Sequence, residues 1–110
     1  MEQLPKLVFS DIGGTLIRNT SRIPDFTGTT FSKLINRNIP VILLTGFNYH
    51  TTRELVQGHD PELILMPQNG TICIKNNTII WEHQIEAKAI LELYRFLDEQ
   101  NLPIIVYKGI

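Results

Sequence analysis

A single cysteine, Cys73, is all the chain carries, so no internal disulfide can staple it and a reducing compartment suits it. An excess of charge of one sign is also missing. Ten basic side chains against eleven acidic ones leave a net charge of −1, which gives no electrostatic footprint for nucleic acid or for an anionic membrane. No apolar run exceeds strand length, so no membrane-spanning helix is expected. The start, Met1-Glu2-Gln3-Leu4-Pro5, has no basic region followed by an apolar stretch, so no signal peptide is expected either. Repeats, low-complexity tracts and flexible linkers are absent. The expectation is a cytoplasmic protein without nucleic-acid or membrane partners. What is present is enough to build with: 110 residues, 43% of them hydrophobic and 19% charged, match one domain with a core.

Apolar patterning gives the order of elements. Lys6–Asp11 reads as a buried strand. Thr15–Ile23 is loop, closed by Pro24. Between residues 26 and 37, Phe31, Leu34 and Ile35 share one helical face, and Asn38 stops the helix. Pro40–Leu44 is a short, continuously apolar strand, as a parallel sheet buried on both faces requires. Asn48–Gln57 reads as a helix with Leu55 and Val56 inward and Gly58 as its stop. Leu63–Met66 is a third strand. Asn69-Gly70 is a turn dipeptide. Thr71–Lys75 and Thr78–Trp81 form a hairpin across Asn76-Asn77. Ala87–Gln100 is the clearest helix, with Ile90, Leu93, Tyr94 and Leu97 as its stripe and Asn101 at its end. Ile104–Tyr107 reads as one more strand. The β-α-β-α-β opening implies an α/β fold with a parallel sheet, whose ligands bind beyond the carboxyl ends of the strands.

Two segments fall at such ends. Ser10-Asp11-Ile12-Gly13-Gly14-Thr15-Leu16 places a carboxylate where the first strand meets a glycine-rich turn. Gly13 and Gly14 let the backbone curl so that N–H groups can face an anion. A carboxylate beside such a nest can hold Mg²⁺ or attack a phosphoryl group itself. Thr45-Gly46 closes the second strand. As a mere helix cap the threonine would be unremarkable; its convergence with Asp11 is what raises it.

In order and content these motifs resemble the N-terminal part of a haloacid dehalogenase (HAD) superfamily hydrolase of the Cof-type sugar-phosphatase branch. That family's first motif is Asp-x-Asp-Gly-Thr-Leu, against Asp11-Ile12-Gly13-Gly14-Thr15-Leu16. Its second is a strand ending Thr-Gly-Arg, against Thr45-Gly46-Phe47. An Asn-Gly after the third strand and a hairpin follow, against Pro67-Gln68-Asn69-Gly70. The resemblance implies a three-layer Rossmann-like core, here partial, over residues 1–82, with a truncated αβ cap beginning in 83–110. It makes Asp11 the nucleophile that forms an aspartyl-phosphate. Asp11 and the Gly13 carbonyl become Mg²⁺ ligands. Gly13 and Gly14 line the phosphate, and Thr45 with the Gly46 backbone holds the transferring oxygens. The substrate implied is a small phosphorylated metabolite. Two departures stand out. Gly13 replaces the aspartate that protonates the leaving group, a role worth about 10²–10⁴ in rate. The family's lysine and distal acidic metal ligands lie after the cap, where this chain has no residues. The expectation is a fragment that is weak or inactive alone.

Competing readings remain. Asp11-Ile12-Gly13-Gly14-Thr15 also resembles the ATP-phosphate loop of glucokinase-like sugar kinases, where an antiparallel hairpin follows directly. A third reading is a non-catalytic remnant that binds phosphate or a partner, with self-association through the incomplete cap. His50, His59 and His83 lack metal-ligand spacing. His50 is placed at a helix start near the site, His59 and His83 at the surface. Cys73, Trp81 and Tyr94 read as packing residues and Asp98-Glu99 as a solvated helix face.

Overall fold

The computed structural model describes residues 3–18 and 22–108. Five strands form one sheet in the order β1 (Val8–Asp11), β2 (Val41–Leu44), β3 (Ile64–Met66), β4 (Ile72–Lys75) and β5 (Thr78–Glu82). The first three run parallel and the last two fold back antiparallel, so the sheet is mixed. Helix α1 (Asp25–Asn36) joins β1 to β2, and α2 (Tyr49–Leu55) joins β2 to β3. Two right-handed crossovers stepping in the same direction put both helices on one face. That face is the core. Val41 and Leu43 of β2, Leu65 of β3 and Ile74 of β4 cluster with Ile12, Ile23, Phe31, Tyr49 and Leu55. Each such side chain, taken fully from water, contributes about 1.5–3 kcal/mol. On the alternate face Phe9 and Leu44 remain 58% and 40% exposed.

Element ends follow local chemistry. β1 starts two residues later than the sequence suggests, where Val8 N–H donates to Pro40 O at 3.0 Å. Pro40 lies outside β2 because it has no N–H for the ladder. Asn38 takes φ 62° after α1, and its N–H donates to Ile35 O. Asn48 caps α2, its Oδ1 accepting from Thr51 N–H at 2.8 Å. The helix ends at Leu55, short of Gln57, and Gly58 turns the chain at φ 82°. Asn76 and Asn77, at φ 52° and 61°, form the two-residue hairpin turn, where both positions must be left-handed. A bulge between Cys73 and Ile74 sets Cys73 opposite Trp81 and Ile74 opposite Ile79. Cys73 is buried there, and burial pushes its thiol above the ordinary value.

Three expectations are corrected. Ile104–Tyr107 is extended but irregular: among the described residues no strand pairs with it, and β-propensity without a partner makes no strand. Trp81 and Tyr94 are not packing residues of the core. Both are exposed, as is all of the apolar stripe of α3 (Ala87–Glu99) except the half-buried Ile90 and Leu97. His59 is no surface ornament. Its Nε2 lies 2.7 Å from Ile23 O, and its ring fills the space where Gly28 of α1 has no side chain.

That last contact gives a test. Glycine to alanine inside a helix ordinarily stabilises by about 0.5–1 kcal/mol. Gly28→Ala would instead displace the His59 ring and break its bond to Ile23, so a net destabilisation of about 1–3 kcal/mol in urea unfolding is expected. In the His59→Ala background the same change is expected to cost little or to stabilise. Stabilisation by Gly28→Ala alone would contradict this packing.

Candidate active site

The parallel register decides what meets at the carboxyl edge. Asp11 pairs with Leu44, and Leu44 with Met66, so three strands end level. Neighbouring strands lie about 4.8 Å apart, so the Asp11 turn, the Thr45 loop and the segment after β3 are adjacent. They are also laced together. Thr45 N–H donates to Met66 O at 3.1 Å, Asn69 N–H to Thr45 O at 2.9 Å and Gln68 N–H to Phe47 O at 2.8 Å. Asn69 adopts φ 59°, ψ 30° inside the single turn Gln68–Gly70, which swings its amide over Gly46. A Cβ at Gly46 would meet Asn69 Oδ1 at 3.1 Å, so this close approach needs glycine.

Asp11 lies at the exposed end of β1, and its Oδ2 accepts from Thr15 Oγ1 at 3.2 Å. Thr15 therefore orients the carboxylate, a role that the motif contains but that its reading did not single out. The glycine turn is more closed than the sequence suggests. Gly14 N–H donates to Ile17 O, while Thr15, Leu16 and Ile17 N–H all point at Ile12 O. Gly14, at φ 74°, makes the turn possible, but its amide is committed to the loop. Gly13 N–H takes no part in that closure. Ile12, fully buried, anchors the loop to the core. Thr45 is only 4% exposed, and its Oγ1 accepts from Phe47 N–H at 3.2 Å. It holds the loop in shape and shares the strand edge with Asp11, while its side chain alternates to the buried face.

Phe47 is the contact that sequence reading missed. A Cβ at Gly13 would meet its ring at 3.2 Å (Cζ) and 3.4 Å (Cε2). Gly13, in place of the first motif's second aspartate, and Phe47, in place of the second motif's arginine, thus lie against each other. No periodicity or spacing signals such a contact, since it joins two loops 34 positions apart.

A divalent cation would find a thin donor set. Asp11 is the only carboxylate at the ends of β1, β2 and β3, and no three acidic, histidine or cysteine side chains converge among the described residues. The octahedral oxygen shell that Mg²⁺ demands is not filled by the described residues alone. His50 lies with its ring 5.8 Å from that of Tyr49, and His83 stands 5.3 Å from Trp81. Two surface concavities, of about 420 and 790 Å³, lie elsewhere, one beside α2 and Asn76-Asn77, the other between His83 and α3; neither is lined by Asp11 or Thr45. The candidate site is an open shelf.

The helix and parallel strand that follow β1 differ from the direct antiparallel hairpin of the kinase reading. A family model for haloacid dehalogenase-like hydrolases matches residues 8–109, nearly the whole chain and both motifs. The chain belongs to this family. Within it, the HAD-like chain is 28% identical over 88 residues to a candidate phosphatase of Buchnera aphidicola, covering 79% of this chain and 33% of that protein. Its fold is similar to that of a HAD-like hydrolase from Bacillus subtilis, with a TM-score of 0.77 at 16% identity, over 88% of this chain and 34% of the other. A HAD subclass IIB sugar phosphatase matches with a TM-score of 0.61 at 22% identity, over 87% and 38% of the two chains. The HAD-like chain spans about a third of the length of the curated relatives it matches.

The turn can be tested on its own. Gly14→Ala places a side chain in open space but in a left-handed backbone, so a loss of about 1–2 kcal/mol in urea unfolding is expected. Gly13→Ala, at a φ outside the left-handed region and against a side-chain ring edge, is expected to cost less. Equal stability of Gly14→Ala and parent would contradict the turn.

Proposed function

We propose that this HAD-like chain contributes the nucleophilic half of a phosphomonoester hydrolase site, with Asp11 as the phosphoryl acceptor. The observation that carries the reading is the register that sets Asp11 level with Leu44, next to the Thr45-Gly46-Phe47 loop. In-line transfer needs a fixed nucleophile and groups placed for the phosphoryl oxygens, more than it needs elaborate bond-making by the protein. Asp11, steadied by Thr15, attacks phosphorus and becomes an aspartyl-phosphate. Gly13 N–H and the Gly46 backbone face the transferring group, Thr45 holds the second loop in shape from the buried side, and Gly14 shapes the first.

The family membership supports Mg²⁺ as the cofactor, with Asp11 and the Gly13 carbonyl as this chain's share of its ligands. When bound, the ion supplies neutralisation of phosphoryl charge. The other ligands must come from outside the described set, and the 110-residue chain is accordingly weak or inactive by itself. The substrate class is a small phosphorylated metabolite, in keeping with the phosphatases the chain resembles.

Phosphate release from a panel of phosphomonoesters tests the reading. The chain alone is expected to give release near background, and Asp11→Asn is expected to remove whatever release it supports. Strong release that survives Asp11→Asn would place the chemistry elsewhere.

A further inference from the structure

We propose that this site takes its phosphoryl group from donors whose leaving group departs without a proton, acyl phosphates above all. The inference rests on the reading of Asp11 as phosphoryl acceptor and, among small phosphorylated metabolites, moves the favoured donor from monoesters to mixed anhydrides.

It starts from the contact between Gly13 and Phe47. The φ of Gly13 is outside the left-handed region, so the backbone itself would accept a side chain. What occupies the space is the Phe47 ring, 3.2 Å from the place of a Cβ. The ring is 38% exposed and forms an apolar wall of the shelf beside Gly13, which lies two residues after Asp11. A carboxylic acid at position 13 is therefore absent twice over: the residue lacks it, and a ring faces its position. Among the described residues, the side chains whose contacts place them at the strand ends are the hydroxyl of Thr15, the amide of Asn69 and, turned to the buried face, the hydroxyl of Thr45. None of these gives up a proton near neutral pH. The nearest imidazole in sequence, His50, lies against Tyr49, whose hydroxyl donates to Asn77 at the far hairpin turn.

The chemistry follows from the leaving group. An alkyl phosphate must expel an alkoxide, whose conjugate acid is about as weak as water. Without a proton donor that departure is slow. An acyl phosphate expels a carboxylate, the anion of an acid with a pKa of about 4. In that case an Asp11 oxygen forms the new bond to phosphorus. The bond from phosphorus to the acyl oxygen breaks, and that oxygen leaves with the bonding pair as a carboxylate. No proton moves. In the second step water attacks phosphorus, the bond to Asp11 breaks, phosphate departs and the surplus proton passes to solvent. No base at position 13 activates that water, so the aspartyl-phosphate persists long enough to be seen.

Intact-mass spectrometry of the chain in magnesium-containing buffer reads both features. Acetyl phosphate is expected to add one phosphoryl group about 10²–10⁴ times faster than glycerol phosphate, the range of the missing acid catalysis. Asp11→Asn is expected to remove the adduct. Equal labelling by the two donors, lost in Asp11→Asn, would overturn the inference and leave Asp11 as acceptor. Labelling that survives Asp11→Asn would overturn both. No label from either donor overturns the inference; the acceptor reading is then decided by whether orthovanadate, which needs no leaving group, binds the parent but not Asp11→Asn by vanadium NMR. Gly13→Asp combined with Phe47→Ala restores an acid and clears the ring. Phosphate release from glycerol phosphate is expected to rise by at least about tenfold in that variant, and more than in Gly13→Asp alone. An unchanged ratio of the two donors would also overturn the inference.

Discussion

The level ending of three parallel strands is the constraint on which the rest depends. Hydrogen bonds in the ladders set Asp11 against Leu44 and Leu44 against Met66. A one-residue slip would turn every side chain of a strand to the other face, burying Asp11 and exposing Leu43 or Val41. The buried faces of β2 and β3 forbid that slip, because Val41, Leu43 and Leu65 already complete the core beneath α1 and α2. The hydrophobic effect, acting on one face of the sheet, thus fixes where a carboxylate stands at its edge. The loops beyond the edge then lock on one another through backbone bonds between residues 45 and 47 and residues 66 to 69.

The same sheet is half dressed. Its helical face is closed, whereas Phe9 and Leu44 on the other face remain in contact with solvent. Parallel sheets are ordinarily covered on both faces, because each strand reads apolar on both sides. The apolar stripe of α3 is likewise uncovered. A chain that spans about a third of its relatives' length thus presents the strand edge at Asp11 and Thr45 over a closed core. At that edge Gly13 carries no side chain and the Phe47 ring lies against it, so in the proposed site the burden of catalysis would fall on the leaving group.

Much of the fold was legible because its signals are local. The β-α-β-α-β order, the stops at Asn38 and Gly58, the Asn76-Asn77 turn and the end of α3 at Asn101 all follow from a few neighbouring residues. The family was legible from several motifs in order, Asp11-Ile12-Gly13-Gly14-Thr15, Thr45-Gly46 and Asn69-Gly70, and the place of Asp11 from its strand end. What was not legible depends on distant partners. The His59 ring against Gly28, the Phe47 ring against Gly13 and the Asn69 amide over Gly46 are contacts between loops and helices that no periodicity encodes. Commitment of the Gly14, Thr15, Leu16 and Ile17 amides to the loop's own carbonyls also escaped, since glycines reveal a turn but not what its N–H groups face. Ile104–Tyr107 misled because strand propensity states a fitness for pairing, and pairing requires a neighbour.

The central claim is that the strand edge at Asp11 and Thr45 is where phosphate is held. Amide chemical-shift mapping during a titration with inorganic phosphate tests it most directly. The account predicts that the largest shifts fall on Gly13, Gly46 and Phe47 and spread to Asn69 through its bond to Thr45. Shifts centred on α2 and Asn76-Asn77, or confined to α3 and His83, would contradict it.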